Sequence, residues 1–199
     1  MPSQASMSGA TRGIFLTLLA TLLAACLNAV ARHLTQSVHP FELVFFRNFF
    51  GLLFLMPLLM RYGLVVFKTK RLGAHLGRAG LNVINMLFFF TAVAITPLAE
   101  IVALGFTAPV FATVLGVLIL KEIVGLHRWS AIFVGFLGAM VIVQPGFAEL
   151  SEGHFLTLLA TLAWAGVLLL IKSLARTESS LTIVAYMAVL LTPLSLIPA

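Results

Sequence analysis

The octapeptide Phe-Leu-Thr-Leu-Leu-Ala-Thr-Leu occurs twice in this chain, at residues 15–22 and again at residues 155–162. Each copy opens an apolar stretch long enough to cross a lipid bilayer. Positions just before the two copies agree at the same offset of 140 residues, because Gly13 matches Gly153. A repeat of this length indicates a supersecondary unit used more than once. We therefore predict a membrane protein assembled from copies of one multi-helix unit.

The offset also predicts the domain boundaries. A tail at residues 1–12 precedes a first unit at 13–152, and a second unit begins at 153 and covers 153–199. The second unit then holds 47 of the 140 residues of a full copy, so 93 are missing. We expect an incomplete form of a longer protein. Truncation is favoured over completion by a homodimer with a second copy.

Composition sets the environment of the fold. Hydrophobic residues make up 61% of the chain and charged residues 9%, whereas soluble domains carry about 25% charged residues. The net charge of +6 does not indicate nucleic acid, because the cations lie at the ends of apolar runs, where lipid orientation is set. The single cysteine, Cys26, excludes an intrachain disulfide.

Seven apolar segments follow one another, and most approach the ~20 residues that a membrane helix needs. They lie at 13–31, 43–60, 79–95, 101–120, 129–143, 154–171 and 182–197. This pattern predicts an all-α polytopic membrane protein. Five segments fall in the first unit and two in the second.

The charges predict how the segments are oriented. With the N-terminus in the cytoplasm, the cytoplasmic side receives ten of the twelve Lys and Arg residues, including those of the loop 61–78. The loop 144–152 carries two glutamates and no cation, so it is predicted to lie outside. This is the positive-inside pattern. Because five is an odd number, the second unit enters the membrane with opposite polarity, as in the inverted repeats of many transporters.

A polar stripe runs along the first segment. Thr17, Thr21, Asn28 and Arg32 are spaced four, seven and four apart, which places them on one helix face. Such a face is expected to point into the bundle or a cavity, since lipid tails offer no hydrogen bonds. For the threonines we favour a packing seam. For Asn28 a packing role and a cavity-lining role stay equally open.

Arg47 lies about one turn inside the second segment. A charge there costs a few kcal/mol unless it is paired or reaches the headgroups. The side chain either extends to the outer lipid headgroups or faces a cavity and binds an anionic group of a substrate. We favour the cavity, because ionisable residues inside a membrane mark functional sites by default.

Three further side chains are candidates for the same cavity. Asn82 and Asn85 are three residues apart on the third segment and share a face, where they could bind a ligand or anchor the helix end. Trp164 falls on the face of the sixth segment that carries the repeated threonines. Its ring could stack on a substrate, although packing is the favoured interpretation.

Two features are predicted to shape the helices. Pro109 cannot donate to the carbonyl of Gly105, so we expect a kink beside Thr107, with gating as a second interpretation. Gly135 and Gly138 in the fifth segment indicate close helix contact.

The stretches 99–109, 118–122 and 129–138, which contain Pro109, Glu122 and the Gly135-x-x-Gly138 pair, resemble the EamA family of the drug/metabolite transporter superfamily. Arg47 near the start of the second helix also fits that pattern. The resemblance covers residues 13–199 and implies ten helices in two inverted five-helix repeats around a central cavity. Glu122 matches the family's acidic position, and a structural clamp in the following loop is its favoured role.

The resemblance implies a secondary transporter that moves a small metabolite, such as an amino acid or related compound, across the inner membrane. The chain departs from the family by ending after about seven helices. A membrane-embedded enzyme and a non-catalytic scaffold or subunit are the alternatives. We expect no catalytic residues, metal or cofactor, because the histidines lack ligand spacing and no phosphate loop or nucleophile elbow occurs. The expected partners are the small-molecule substrate and the lipid bilayer.

Overall fold

The computed structural model describes residues 4–121, 123–143 and 151–199. Within these ranges it has eight α-helices, one 3₁₀ helix and no strand. The helices are α1 (Gln4–Leu34), α2 (Pro40–Tyr62), α3 (Leu72–Ile95), α4 (Leu98–Gly105), α5 (Ala108–Leu120), α6 (Leu126–Val143), α7 (Glu152–Leu174) and α8 (Ser180–Leu196). The 3₁₀ helix Gly63–Phe67 lies between α2 and α3. Glu122 and most of the predicted outer loop lie outside the described residues.

The predicted fold class is confirmed. Each of the seven apolar segments lies in a helix, or in the pair α4 and α5 that shares one segment. Five spans are long and apolar enough to cross a membrane: Thr11–Leu34, Pro40–Tyr62, Leu72–Ile95, Leu98–Leu120 and Glu152–Leu174. The protein is an all-α polytopic membrane protein.

The fourth span is interrupted where a kink was predicted. α4 ends at Gly105, and α5 begins at Ala108 with Pro109 in its first turn. The missing amide of Pro109 is no loss there, because the first amides of a helix have no partner inside it. Thr107 caps the turn by donating its hydroxyl to the carbonyl of Leu104 over 2.6 Å. The break therefore has a local cause in the sequence.

The third helix begins earlier than predicted. α3 starts at Leu72, so the last residues of the predicted loop 61–78 form two helical turns. His75 and Arg78 in these turns are buried. The predicted boundary was wrong here because a charge was interpreted as a helix end, whereas the structure buries that charge against α8.

α3 and α7 form the centre of the molecule. Small residues let the two helices approach closely, since a Cβ on Gly166 would lie 3.1 Å from Leu81 Cδ1 and one on Gly153 would lie 2.9 Å from Thr96 Cβ. α8 packs on α2 and α3, and α4 and α5 pack on α7. The buried residues Ala92, Val93 and Ile101 form one of the core clusters. Six helix segments thus surround the space beside α3 and α7.

The helix ends follow the sequence offset. α1 ends at Leu34 and α7 at Leu174, and α2 begins at Pro40 and α8 at Ser180. Both pairs are 140 residues apart, and the same turn joins the two helices of each pair. The division into 13–152 and 153–199, and the opposite polarity of the units, stay predictions.

Candidate functional site

A cavity of about 390 Å³ lies between α1, α2, α3, α4, α7 and α8. All five predicted cavity residues, Arg47, Asn28, Asn82, Asn85 and Trp164, line it. The rest of the lining is mostly apolar, with two threonines, and consists of Met86, Phe89, Phe90, Ile101, Gly105, Ala108, Thr157, Ala160, Thr161 and Met187. A mostly apolar cavity of this size with a few convergent polar groups is typical of small-molecule sites.

Arg47 supplies the charge of the cavity. Its Nη1 donates to Met86 Sδ over 3.6 Å, and its Cζ lies 6.0 Å from the centre of the Phe90 ring. These contacts hold the guanidinium without neutralising it, because a thioether is a weak acceptor and an aromatic face attracts a cation only modestly. No described carboxylate pairs with Arg47. The remaining donors are available to an anionic or carbonyl group.

Three carboxamides face the same space with unused capacity. Asn82 is buried and makes one weak contact, from Nδ2 to Met187 Sδ over 3.8 Å. Asn28 and Asn85 are half-buried, and their side chains form no hydrogen bond with another described residue. A carboxamide offers both donors and acceptors. The cavity can therefore bind a ligand that carries several polar atoms of both kinds.

α7 contributes a ring and two hydroxyls. Trp164 is half-buried on the cavity surface. Thr157 and Thr161 are buried, and each donates its hydroxyl over 2.7 Å to the carbonyl four residues earlier in α7. These two hydroxyls can still accept a hydrogen bond, whereas the indole offers a flat apolar surface.

The two units contribute different chemistry at matching positions. Met187 lies 140 residues after Arg47, and both residues line the cavity. One unit therefore presents a guanidinium where the other presents a thioether. Leu168 likewise replaces Asn28 in the second unit. The cavity is polar on the side of the first unit and apolar on the side of the second, apart from the threonines.

The prediction for the stripe on α1 divides along the helix. Asn28 reaches the cavity, and Arg32 donates to the carbonyls of Val93 and Thr96 at the end of α3. Thr17 and Thr21 are exposed, and their hydroxyls donate to carbonyls within α1. The expectation that these two threonines face the bundle was wrong for the described structure, because no described helix covers that part of α1.

The predicted shaping residues have mixed positions. The break before Pro109 lies beside the cavity, since Gly105 and Ala108 line it. Gly135 and Gly138 are exposed, and no described atom outside their own helix lies within 4 Å of a Cβ built on either glycine. The predicted close helix contact is therefore not seen among the described residues. The predicted role of Glu122 lies outside them.

One contact was missed entirely from the sequence. His154 Nε2 lies 2.8 Å from Glu100 Oε2, which joins the first turn of α7 to the first turn of α4. His154 Nδ1 accepts from the backbone amide of Ser151 over 2.9 Å, as part of a capping box. The residues are 54 positions apart, so no local spacing could have indicated the pair.

Comparison with known proteins places the chain in a class. Residues 11–144 match the model of the EamA-like transporter family. The chain belongs to this family, and the predicted membership is confirmed.

Among curated proteins, the chain is 33% identical over 190 residues to a riboflavin transporter of Rhizobium johnstonii, covering 94% of this chain and 63% of that protein. It is 33% identical over 153 residues to a riboflavin transporter of Brucella anthropi, covering 77% and 54%. It is also 29% identical over 184 residues to an S-adenosylmethionine uptake transporter of Rickettsia prowazekii, covering 92% and 63%. The chain thus spans less than two thirds of the length of these relatives. No solved structure matches it.

Proposed function

We propose that this chain forms the substrate-binding part of a secondary transporter that moves a small metabolite across the inner membrane of a bacterium. The observation that carries the proposal is the convergence of Arg47, Asn28, Asn82, Asn85 and Trp164 on one cavity inside a membrane-spanning bundle. Polar side chains at that depth are costly unless they serve a pathway or a partner. Here they surround a space of about 390 Å³.

The chemistry of the cavity favours a metabolite with a flat apolar part and several polar atoms. Trp164, Phe89 and Phe90 offer aromatic surface, and the carboxamides offer hydrogen bonds to neutral groups. Arg47 adds a donor for a carbonyl or a carboxylate. Amino acids and related compounds, riboflavin, and S-adenosylmethionine all carry such acceptors, so they are the compounds to test first.

An enzymatic role is less well supported. The family and the relatives named above are transporters. The one Ser–His–Glu line in the described residues joins Ser151, His154 and Glu100. Its histidine nitrogen already accepts the backbone amide of Ser151, which is a helix cap rather than an activated nucleophile.

The test is uptake of labelled compounds by liposomes that contain the purified full chain. Riboflavin, S-adenosylmethionine and an amino acid mixture serve as separate probes. We expect saturable uptake of at least one probe and a loss of about tenfold or more in Arg47→Leu, because one charge-assisted hydrogen bond contributes about 1.5–3 kcal/mol. Arg61→Leu is the matched control, since Arg61 is exposed at the other end of α2. Normal uptake by Arg47→Leu would show that Arg47 only reaches toward the headgroups.

We also propose that the N-terminus is cytoplasmic and that the functional protein contains a second unit longer than 153–199. The orientation rests on the positive-inside pattern. Labelling of Lys70→Cys from outside intact cells, in a Cys26→Ala background, would overturn it. For the second point, the 199-residue chain is expressed beside a version extended through the downstream reading frame. Substrate-specific transport by the short form as a monomer would contradict that proposal.

A further inference from the structure

A line of polar side chains leads away from the cavity along α3. Asn82 lines the cavity, and Arg78 and His75 follow it at spacings of four and three toward the start of the helix. These spacings place the three residues on one face. All three are buried, with exposed fractions of 1%, 2% and 0%. Arg78 therefore lies one helical turn beyond the cavity, inside the protein.

Arg78 is a buried cation without a buried anion. Its Nη2 donates to the carbonyl of Ile183 on α8 over 2.6 Å, and its Nε has no partner. No carboxylate pairs with it among the described residues. Removing a guanidinium from water without a counter-charge is costly. A single carbonyl offsets only a part of that cost.

Arg71 shows how the same end of α3 treats an ordinary structural arginine. Its guanidinium donates to the carbonyl and the hydroxyl of Ser173 over 2.8 and 2.7 Å, and to the Thr177 hydroxyl over 3.2 Å. It lies at the C-terminal end of α7, where the helix dipole favours a cation. Arg71 thus has a structural explanation that Arg78 lacks.

His75 adds more unused hydrogen-bonding capacity beside Arg78. Neither Nδ1 nor Nε2 has a partner, and the imidazole stacks on the ring of Tyr186 with 4.3 Å between centroids. Tyr186 in turn donates to the carbonyl of Phe67 over 2.6 Å. Orphaned polar atoms are rare in folded proteins and call for an explanation. Here three of them, on two neighbouring turns of α3, lie beneath the start of α8.

α8 is the element that covers these groups. Ile183 and Tyr186 contact Arg78 and His75, and Met187, the next residue, lines the cavity. Few polar contacts hold α8 over them: one bond to Arg78, the weak Asn82–Met187 contact and the Tyr186–Phe67 bond. Separation of the start of α8 from α3 would join Arg78 to the cavity.

We propose that Arg78, with His75, forms a second anion-binding site that is closed in this conformation and receives a carboxylate or phosphate group of the transported molecule when α8 moves away from α3. This inference rests on the proposed transport function. Arg47 and Arg78 then act as successive cationic positions, the first open to the cavity and the second closed by α8.

The test measures the site without measuring transport. Ile183→Cys in a Cys26→Ala background places a thiol beside Arg78, and the purified full chain is reacted in lipid nanodiscs. The probes are negatively charged sulfonatoethyl methanethiosulfonate and positively charged trimethylammonioethyl methanethiosulfonate. Each rate is divided by the rate of that reagent with 2-mercaptoethanol. We expect the anionic reagent to react at least about tenfold faster, since a nearby cation attracts one reagent and repels the other.

Variants of Arg78 decide whether that residue causes the preference. Arg78→Gln should abolish it, and Arg78→Lys should keep it, which separates loss of charge from loss of folding. Arg176→Gln is the control, because Arg176 is exposed beyond the end of α7. Acetate and inorganic phosphate, added separately, should slow the anionic reagent, and the stronger competitor identifies the preferred group.

The possible failures are distinct. Equal rates for the two reagents, or no competition by either anion, would overturn the anion site. No reaction with either reagent would overturn the opening of α8. A chain that shows the preference but moves no labelled metabolite would keep the anion site and refute the proposed transport function.

Discussion

The two copies of the octapeptide have the same sequence and different surroundings. In α1 all eight residues at 15–22 are exposed, whereas in α7 Thr157, Ala160 and Thr161 are buried and two leucines are half-buried. Of the membrane-span windows, that of α1 is 6% buried and that of α7 is 39% buried. Both copies form continuous helix. The sequence therefore determines the helix in both places, and the neighbours determine which face is covered.

The neighbours of α7 explain the difference. α3, α4 and α5 all pack on α7, whereas α1 packs mainly on α3 through its last turns. Gly153 receives Thr96 at a distance that leaves no room for a Cβ, while nothing lies within 4 Å of a Cβ at Gly13. We propose that in the functional protein the octapeptide of α1 is covered by a second set of helices equivalent to α3 and α4.

The largest effect is expected when both matching glycines are changed. Gly153→Val should lower the free energy of unfolding by roughly 3 kcal/mol, because overpacking a tight contact typically costs 1–3 kcal/mol and sometimes more. Gly13→Val should change it by less than about 0.5 kcal/mol. Thermal unfolding of the two purified variants in the same detergent measures the difference.

The double variant Gly153→Val with Thr96→Gly serves as the control, since it removes the atoms that the new side chain would meet. It should recover part of the loss. Equal stability of the Gly153 and Gly13 variants would show that the contact between α7 and the end of α3 is not formed as described.

A smaller effect is expected at the next pair of matching positions. His154 is buried and binds Glu100, whereas its counterpart Ile14 is exposed. His154→Leu should cost about 1.5 kcal/mol, because it removes a hydrogen bond to a charged group. Ile14→His should have no measurable effect, since no described acid lies near it. The same unfolding assay applies, and an unchanged His154→Leu would refute a stabilising role for the pair.

Much of the fold was predictable because membrane helices are indicated by length and hydropathy. The break before Pro109 followed from local chemistry, and Arg47 and Asn82 were predicted because polar groups in apolar helices are few. The start of α3 was not predictable from the charge pattern, since Arg78 resembles a loop cation until α8 is known to cover it. Its role depends on contacts more than 100 residues away in sequence, as does the difference between the two octapeptides.

The smallest effect is expected for the repeated threonines. Thr161→Val and Thr21→Val remove the same hydroxyl, which in both places donates to a carbonyl of its own helix. Stability should fall by at most about 0.5 kcal/mol in either variant. Only Thr161 lines the cavity, so only Thr161→Val should raise the half-saturating concentration for uptake, by about threefold. An equal change in the Thr21 variant would show that the two faces are not distinguished by the cavity.

The most direct test of the central claim, that the cavity beside α7 binds the transported molecule, is the emission of Trp164. In a Trp129→Phe background Trp164 is the remaining tryptophan, and S-adenosylmethionine and riboflavin are titrated separately into the purified chain. We predict a saturable change in emission with the compound that liposomes take up, shifted to at least about tenfold higher concentration by Arg47→Leu. Unchanged Trp164 emission at concentrations that saturate uptake, or identical titrations for the wild type and Arg47→Leu, would contradict the account.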